Sequence, residues 1–368
     1  MQQNRYFRNL DWWLIGAILG LVGIGICLIA SATHSFAMST GKAWHVERQS
    51  IFLVLDLALV IFSLRFDYRM LKDIARPLYI FNVLLLLAVM FVGHSQLGAQ
   101  RWIQIGPISL QPSEFSKAIM IVCLASFLNK RLERLDSFTD YLPALLYVFI
   151  PFVLVMKQPD LGTSLVFMAI LLGMLLISGF KIKWLAYMGG TLVALLPLLW
   201  HVLKEYQKNR IRVFLNPELD PFGAGYHVIQ SKIAIGSGLL TGKGWFLGTQ
   251  SQLNFLPENH TDFIFAVAGE EFGFLGILLI LLLYLIVIWR GLTIALNAED
   301  NFGTLLAVGI TFMFMFHVLV NIGMTAGIMP VTGVPLPFMS YGVSSLTTNM
   351  LLAGLLLNIN QRRQQLQF

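Results

Sequence analysis

The stretch WWLIGAILGLVGIGICLIASA, residues 12–32, decides the fold, because an uncharged run of this length can cross the hydrocarbon core of a bilayer as one helix. It lacks a small-residue cleavage pattern and many similar stretches follow it, so we predict a retained helix and not a signal peptide. Of the 368 residues, 57% are hydrophobic and 12% are charged, whereas roughly a quarter of the residues in soluble domains are charged. The sequence therefore predicts an all-α, polytopic membrane protein.

Windows of about 20 apolar residues predict ten membrane spans that form one helical bundle over residues 1–368. The spans are predicted to start near residues 12, 49, 77, 113, 142, 163, 184, 262, 302 and 335. Short loops rich in Lys and Arg alternate with short loops poor in them, which predicts that both termini are cytoplasmic. The large hydrophilic segment, about residues 204–261, is then an extracytoplasmic loop between helices 7 and 8. Its glycines and aromatic residues suit short amphipathic pieces on the membrane rim.

Composition also excludes several classes of function. The net charge of +6 is explained by cytoplasmic loops that face anionic head groups, so we expect no nucleic-acid partner. Cys27 and Cys123 both lie in apolar stretches, which favours buried side chains over a disulfide or a thiolate metal site. The sequence GSGLLTGKG (236–244) does not match a phosphate-binding P-loop, since Lys243 is followed by Gly. An ATP-driven pump is therefore disfavoured.

Glu114 and Lys117 are charged residues at the start of a predicted span, in the sequence QPSEFSK. They are three residues apart on a helix that starts near Pro112, so they share one face and can pair. Charged side chains are costly in hydrocarbon. The pair either neutralises itself so that the helix can insert, or lines a polar cavity.

Four further charged residues lie at predicted outer ends of spans. Arg48 and Arg101 could reach the interface by snorkelling, or could bind a phosphate with both arms of the guanidinium group. Lys157 and Asp160 lie in a short outer turn where Pro159 breaks the helix. Asp160 could position a substrate hydroxyl group or cap the helix that follows.

Asp262 directly precedes the apolar run FIFAVAG, where the chain is predicted to enter the membrane from outside. Partial desolvation at that depth would strengthen its carboxylate as a proton acceptor. The alternative is that Asp262 is the N-cap of the eighth helix. His260 is a second candidate polar residue, although a single histidine in a loop is more often without a role.

Six motifs together give the chain a family resemblance. They are GAQRWIQIG (98–106), QPSEFSK (111–117), QPDLGTS (158–164), NPELDPFGAGYHVIQSKIAIGSG (216–238), GTQSQLNFLPENHTDFIFAVAGEE (248–271) and GIMPVTGVPLPFMSYG (327–342). In this order and over nearly the whole chain, they resemble the SEDS family of shape, elongation, division and sporulation proteins. The VTGVPLPF wording is similar to the elongation branch. One departure is Val343, where the family usually has glycine, so a backbone role that needs glycine is not expected there.

The resemblance implies a ten-helix peptidoglycan glycosyltransferase of the bacterial cytoplasmic membrane, with its active site on the extracytoplasmic side. Its substrate would be lipid II, the undecaprenyl-pyrophosphate-linked disaccharide-pentapeptide. Its partners would be a class B penicillin-binding protein, which is a transpeptidase, and other membrane proteins of the elongation machinery. The resemblance also implies that Asp262 is catalytic, that the Glu114 and Lys117 pair is needed for activity, and that Arg48 and Arg101 hold the lipid pyrophosphate.

The expected reaction is an inverting transfer in which Asp262 acts as general base. The developing charge on pyrophosphate needs cations, and Lys117 and Lys243 are further candidates beside the two arginines. No carboxylate cluster has metal-ligand spacing, so a role for Mg²⁺ or Mn²⁺ stays open and no other cofactor is expected. The alternatives are a lipid II flippase and a non-catalytic scaffold that activates the transpeptidase. The polar residues concentrate on one side and not at the bilayer midplane, which favours the enzyme over a transporter.

Overall fold

The computed structural model describes residues 10–96, 99–106, 108–135, 137–202, 205–221 and 223–363. Its helices are α1 (Trp12–Ala32), α2 (His34–Thr40), α3 (Trp44–Ser63), α4 (Leu71–Val92), α5 (Pro112–Asn129), α6 (Phe138–Lys157), α7 (Leu161–Ile177), α8 (Ile182–Val202), α9 (Glu205–Leu215), α10 (Ala224–Ser237), α11 (Thr249–Gln252), α12 (Ile264–Leu296), α13 (Asn301–Thr325) and α14 (Val343–Gln361). Short 3₁₀ turns lie at Tyr68–Met70, Leu132–Arg134 and Pro217–Leu219. The chain is thus a many-helix membrane protein, as the composition predicts.

Long apolar helices lie where spans were predicted. Within the described residues, 5 helices are long and apolar enough to cross a membrane by length and composition: Trp12–Ala32, Tyr68–Val92, Phe138–Lys157, Ile264–Leu296 and Asn301–Thr325. The predicted start near residue 335 is wrong for the last helix, which begins at Val343. The residues before it are apolar, but Pro335 and Pro337 lack the backbone N–H that a helix needs. An apolar window does not separate a buried irregular segment from a helix.

A small antiparallel sheet connects α4 to α5, in a region that was predicted only as a loop. Its strands are β1 (His94–Gln96), β2 (Ala99–Ile105) and β3 (Ile108–Leu110), in the order β1-β2-β3. Ile103 pairs with Leu110 in the β2–β3 register. The sheet is relevant to the site because β2 carries Arg101.

The centre of the bundle is α13, which packs against α5, α7 and α12. Its apolar side chains are largely buried, among them Phe302 and Phe314. Small residues let neighbouring helices approach closely. Membrane helices associate through such close packing, because lipid is as apolar as the helices and the hydrophobic effect does not drive them together. A Cβ atom added at Gly309, for example, would lie 2.1 Å from the Met174 side chain on α7. Cys123 is buried as expected, whereas Cys27 is exposed, so the expectation for Cys27 was wrong.

Helix α12 is interrupted at Gly273, whose φ of 64° and ψ of −162° are not helical. Residues 239–244 supply hydrogen-bond partners for the backbone groups at this interruption. The amides of Lys243 and Gly244 donate to the carbonyl oxygens of Glu270 and Glu271, each at 3.0 Å. In return the amide of Phe274 donates to the Leu239 carbonyl at 2.9 Å. The break therefore anchors the long loop between α8 and α12, because backbone groups freed at membrane depth need partners.

The connections between helices gather at two ends of the bundle. At one end, which we call the Asp262 end, the ring of His45 contacts His260 with centroids 5.0 Å apart, and the Gln111 amide donates to Ser344 Oγ at 3.0 Å. At the opposite end, Arg69 pairs with Glu299 at 2.6 Å, and Asn358 Nδ2 donates to the Phe66 carbonyl at 2.7 Å.

Candidate functional site

The segment that joins α13 to α14, residues 326–342, lies at the Asp262 end and holds the turn before α12. Ser340 Oγ donates to the Thr261 carbonyl at 2.7 Å. The Tyr341 amide donates to the His260 carbonyl at 2.9 Å. These two bonds fix the backbone on the N-terminal side of Asp262. We call residues 326–342 the connecting segment.

Asp262 is half-buried and lies against the connecting segment. Asn321, fully buried on α13, donates through Nδ2 to the Asp262 carbonyl at 2.9 Å and to the Val334 carbonyl at 2.8 Å. A Cβ atom added at Gly333 would lie 3.3 Å from Asp262 Oδ2, which places the carboxylate beside the segment's backbone. The N-cap of α12 is Phe263, with no side-chain cap bond. The alternative that Asp262 is this N-cap is therefore wrong.

Glu114 and Lys117 form the predicted ion pair, with 2.7 Å between Lys117 Nζ and Glu114 Oε1. Both side chains are buried, with relative exposures of 1% for Lys117 and 3% for Glu114. The pair does not stand alone, because Lys117 Nζ also lies 3.3 Å from His317 Nε2. His317 Nδ1 lies 3.0 Å from the Pro335 carbonyl, which can only accept a hydrogen bond. This geometry assigns the His317 proton to Nδ1 and leaves Nε2 to accept from lysine. The pair is thus connected to the connecting segment.

Asp160 and Arg101 lie together at the same end of the bundle, with 3.5 Å between Arg101 Nη1 and Asp160 Oδ2. Asp160 also caps α7 by accepting from the Thr163 amide at 3.1 Å and from the Thr163 hydroxyl at 3.0 Å. Gln111 Nε2 and Ser113 Oγ donate to the same carboxylate at 3.1 Å and 3.4 Å. The capping alternative for Asp160 is therefore observed. The carboxylate additionally orients the Arg101 guanidinium group.

Arg48 reaches this end on the first turns of α3. Its guanidinium carbon lies 4.4 Å from the centroid of the Trp44 ring. The adjacent residue, Gln49, is buried and bonds the connecting segment twice: Nε2 donates to the Ser340 carbonyl at 3.4 Å and Oε1 accepts from the Gly342 amide at 3.3 Å. Because Gln49 fixes the register of α3, it also fixes the position from which Arg48 projects.

His260 belongs to a cluster of three rings and is not an isolated loop residue. Its ring centroid lies 5.0 Å from that of His45 and 5.6 Å from that of Tyr341. Burial, assisted by the positive charge that His45 would carry, lowers the pKa of His260 to about 4. His260 is therefore a neutral polar residue at pH 7. It can donate or accept a hydrogen bond there, but it contributes no positive charge.

Lys243 lies in a different cluster, around the buried carboxylate of Glu270. Lys243 Nζ binds Glu270 Oε1 at 2.7 Å and Thr249 Oγ1 at 2.8 Å. The amides of Gln250 and Ser251, at the start of α11, donate to the two Glu270 oxygens at 2.9 Å and 3.3 Å. The charge of Lys243 is thus matched by Glu270, and this cluster holds residues 243–252 on α12.

Glu271 extends this attachment to α1, because it accepts a hydrogen bond from Ser31 Oγ. Gln252 Nε2 donates to the Ser31 carbonyl at 2.9 Å. Trp245 Nε1 donates to the Cys27 carbonyl at 3.0 Å. The loop before α12 is therefore fastened to two helices by buried carboxylates and by backbone bonds.

Two predicted features have less structural support. Lys157 is exposed in the last turn of α6. Within the described part of the chain, no three His, Cys, Asp or Glu side chains are grouped as a metal site requires. We therefore assign no metal ligand among these residues.

Sequence reasoning gave no role to five polar residues that shape the site: Gln49, Glu270, Glu271, His317 and Asn321. A usable signal existed, since polar and ionisable residues inside apolar helices are expensive and mark functional or structural contacts. An average over an apolar window conceals them. Their partners are distant in sequence, so the contacts follow only from the fold.

The chain is similar to proteins of known family over nearly its whole length. Residues 11–365 match the sequence model of the FtsW, RodA and SpoVE family, described as cell cycle protein. The peptidoglycan glycosyltransferase MrdB of Escherichia coli K12 is 43% identical over 340 residues, which are 92% of each chain. Stage V sporulation protein E of Bacillus subtilis is 39% identical over 358 residues, covering 95% of this chain and 97% of the relative.

Solved structures show the same fold. A chain from a study of the structural coordination of polymerization and crosslinking by a peptidoglycan synthase complex superposes with a TM-score of 0.83 at 33% identity, covering 97% of this chain and 99% of that one. The rod shape determining protein RodA of Thermus thermophilus superposes with a TM-score of 0.72 at 29% identity, covering 97% and 98%. The resemblance inferred from the motifs is confirmed, and the chain belongs to the FtsW, RodA and SpoVE family of cell cycle proteins.

Proposed function

We propose that this protein is a peptidoglycan glycosyltransferase that polymerises lipid II into β-1,4-linked glycan strands during cell elongation. The observation that carries the proposal is Asp262, a half-buried residue whose carboxylate lies beside the connecting segment. Asn321 and Ser340 hold the backbone carbonyls of Asp262 and Thr261. Two arginines, Arg48 and Arg101, are positioned at the same end of the bundle. Relatives that share 43% and 36% of their residues with this chain bear the name peptidoglycan glycosyltransferase.

The proposed membrane arrangement has ten spans, formed by α1, α3–α8 and α12–α14. Both termini lie in the cytoplasm and the Asp262 end faces the extracytoplasmic side of the bacterial cytoplasmic membrane. The bias of Lys and Arg in the short loops supports this orientation. The grouping of the connections at two ends supports the alternation of the spans. Residues 205–263 then form the large extracytoplasmic loop.

In the proposed reaction, the 4-hydroxyl group of an acceptor GlcNAc attacks C1 of the donor MurNAc. The new C1–O bond forms as the bond from C1 to the pyrophosphate oxygen breaks, and the lipid pyrophosphate leaves with the electron pair. Asp262 accepts the hydroxyl proton as general base. One displacement converts the α-linked donor into a β-linked product. Because hydrogen bonds hold the backbone of Thr261 and Asp262, the position from which the carboxylate projects is set in advance.

The leaving pyrophosphate requires cations, and Arg48 and Arg101 are the proposed ones. A guanidinium group can bind two phosphate oxygens at once. Arg101 Nη1 is held by Asp160, while its buried Nε has no described hydrogen-bond partner. Lys157 and His260 are proposed as further polar contacts. Lys243 would have to leave its ion pair with Glu270 to bind pyrophosphate. We therefore propose that Lys243 attaches the loop to α12 instead.

Glu114 and Lys117 are proposed to act on the site indirectly, because Lys117 contacts His317 and His317 contacts the connecting segment beside Asp262.

The proposed partner is a class B penicillin-binding protein that crosslinks the nascent strand. A related chain of 33% identity occurs in a complex described as coordinating polymerization and crosslinking, and this supports the proposal. Other elongation-machinery membrane proteins are proposed to join the assembly.

Replacing Asp262 with Asn tests the function directly. The amide has nearly the same shape but cannot accept the hydroxyl proton at neutral pH, so polymerisation should fall by about two to four orders of magnitude. The assay is the glycan polymer that the purified complex forms from lipid II, with transpeptidase association and thermal stability measured on the same sample. Glu258→Gln is the matched control, since this exposed carboxylate lies in the same turn.

The control variant is expected to polymerise normally. A stable, assembled Asp262→Asn protein that polymerises near the wild-type rate would exclude Asp262 as the base. Retained partner association without polymerisation would exclude a purely scaffolding function, since a scaffold has no need of a titratable oxygen at this position.

A further inference from the structure

A polar cavity lies between α4, α5 and α6, at the end of the bundle opposite Asp262. Its volume is about 470 Å³. Its walls combine the start of α4, the second half of α5 with the turn that follows it, and the middle of α6, and they include Arg76, Lys130, Arg131, Arg134 and Tyr147. The proposed glycosyl transfer makes no use of this cavity.

The cavity is strongly basic. Four of its lining residues are cations, and none of the lining residues that the structure describes is a carboxylate. No described carboxylate lies within 4 Å of these four cations, whereas arginines in neighbouring connections are paired, as Arg69 is with Glu299 at 2.6 Å and Arg290 with Asp11 at 2.7 Å. A concave surface with this charge attracts anions, and its cations are available to them.

Aromatic side chains form a rigid floor beneath the cations. The ring of Tyr147 stacks on Tyr79 and on Phe127, with centroids 3.9 Å and 4.6 Å apart. The Arg131 guanidinium carbon lies 3.9 Å from the centroid of Phe127. Tyr79 Oη donates to the Tyr147 carbonyl at 2.8 Å, which ties α4 to α6. The floor therefore keeps the cavity open and holds one cation over its edge.

The cavity borders apolar helix surfaces that face outward. Ile74 and Phe81 on α4 are 46% and 55% exposed, and Leu142 and Leu146 on α6 are 42% and 64% exposed. A ligand with its anionic part in the cavity could lay hydrocarbon chains along these surfaces. A soluble anion has no hydrocarbon part that could contact these apolar side chains.

We propose that this cavity binds the head group of a phospholipid with two phosphate charges, of the diphosphatidylglycerol type. Two phosphates match four cations, and basic pockets between helices on the cytoplasmic side bind such head groups. On the proposed topology the lipid belongs to the cytoplasmic leaflet. Binding itself requires neither that topology nor glycosyltransferase activity, so it is tested independently of both.

The test measures lipid retained by the purified full-length chain, by native mass spectrometry after titration with diphosphatidylglycerol or with phosphatidylethanolamine. The informative variant is R76Q combined with R134Q, since both side chains are exposed and unpaired among the described residues and their loss should spare the fold. The control is K181Q combined with K183Q, which removes the same charge from a different connection at the same end. A parallel arm adds inorganic pyrophosphate as competitor.

We expect the wild type and the control to retain diphosphatidylglycerol in preference to phosphatidylethanolamine. The R76Q/R134Q protein should bind it about thirtyfold more weakly, since each cation near the surface of an anionic lipid contributes about 1 kcal/mol. Equal losses in both double variants would mean non-specific attraction and would overturn the proposal. Complete displacement of the lipid by an equimolar amount of pyrophosphate would overturn it as well, because the site would then recognise a soluble anion and not a lipid.

Discussion

A double-mutant cycle on Glu114 and Lys117 separates a structural role of this ion pair from a functional one. Both side chains are almost completely buried and their charged atoms lie 2.7 Å apart. Removing one partner of such a pair typically costs about 3–5 kcal/mol of stability, because the other charge is left uncompensated. Replacing both by neutral side chains of similar size is often neutral or even stabilising.

The structure ranks the three variants. Lys117→Met should be the most destabilised, because it isolates the Glu114 carboxylate and also removes the donor to His317 Nε2. Glu114→Gln should lose less, since the amide oxygen can still accept from Lys117. The double variant should be more stable than Lys117→Met, because no buried charge is then left uncompensated. The groups that lose the lysine are neutral, namely the His317 acceptor and the amide introduced at position 114, and each costs about 1–3 kcal/mol.

Polymerisation should not recover in the double variant. A buried ion pair contributes little net stability over an apolar pair, so stability alone does not explain its presence. The pair contacts the connecting segment through His317 and Pro335, and that segment also holds the turn of Asp262. We therefore expect the double variant to unfold at a higher temperature than Lys117→Met, while its glycan synthesis from lipid II stays at least tenfold below that of the wild type.

The cycle has a matched control at the opposite end of the bundle. Arg69 and Glu299 also form a close pair, at 2.6 Å, but their side chains are 41% and 37% exposed. Exposed pairs contribute about 0–1 kcal/mol, so the corresponding Gln variants should unfold and polymerise nearly as the wild type does. If the buried double variant instead regains both stability and polymerisation, the pair serves only to neutralise itself and the functional interpretation is refuted.

Three further predictions concern orientation, pyrophosphate binding and the loop. In a protein without native cysteines, Glu218→Cys should react with an impermeant thiol reagent in intact spheroplasts and Asn297→Cys should not; the opposite pattern would invert the proposed topology. Arg48→Lys and Arg101→Lys should each lower lipid II use roughly tenfold with unchanged folding, since lysine lacks the planar fork, and normal polymerisation by both would leave only interface anchoring. Glu270→Gln should speed hydrogen exchange over residues 243–252, because the buried anchor of that loop is weakened; unchanged exchange would show that the backbone bonds suffice.

The positions of the apolar helices were predictable because a bilayer demands uncharged runs of a set length. The boundaries of the helices were less predictable. Helix α4 begins at Leu71 and continues through Pro77, whereas the apolar windows predicted a span that starts near residue 77. Pro77 is the seventh residue of this helix and removes one backbone hydrogen bond, which membrane helices tolerate. The sheet of β1, β2 and β3 was missed, because β2, AQRWIQI, alternates apolar and polar residues only over its last three positions.

The candidate site was predictable as a set of residues but not as an arrangement. Asp262, Glu114 and Lys117 were identified from their charge at a membrane boundary. That Lys243 binds Glu270, and that Asp160 binds Arg101, depends on contacts between elements far apart in sequence. No periodicity within a single helix encodes such contacts.

The connecting segment explains why these polar residues lie where they do. Its prolines and glycines prevent a helix, so its carbonyl and amide groups lack helical partners although residues 336–340 are buried in the protein. Side chains of two helices bind several of these groups: His317 and Asn321 on α13, and Gln49 on α3. Asn321 also binds the carbonyl of Asp262. A buried irregular segment thus requires polar side chains as hydrogen-bond partners, and one of them also holds the backbone of the candidate base.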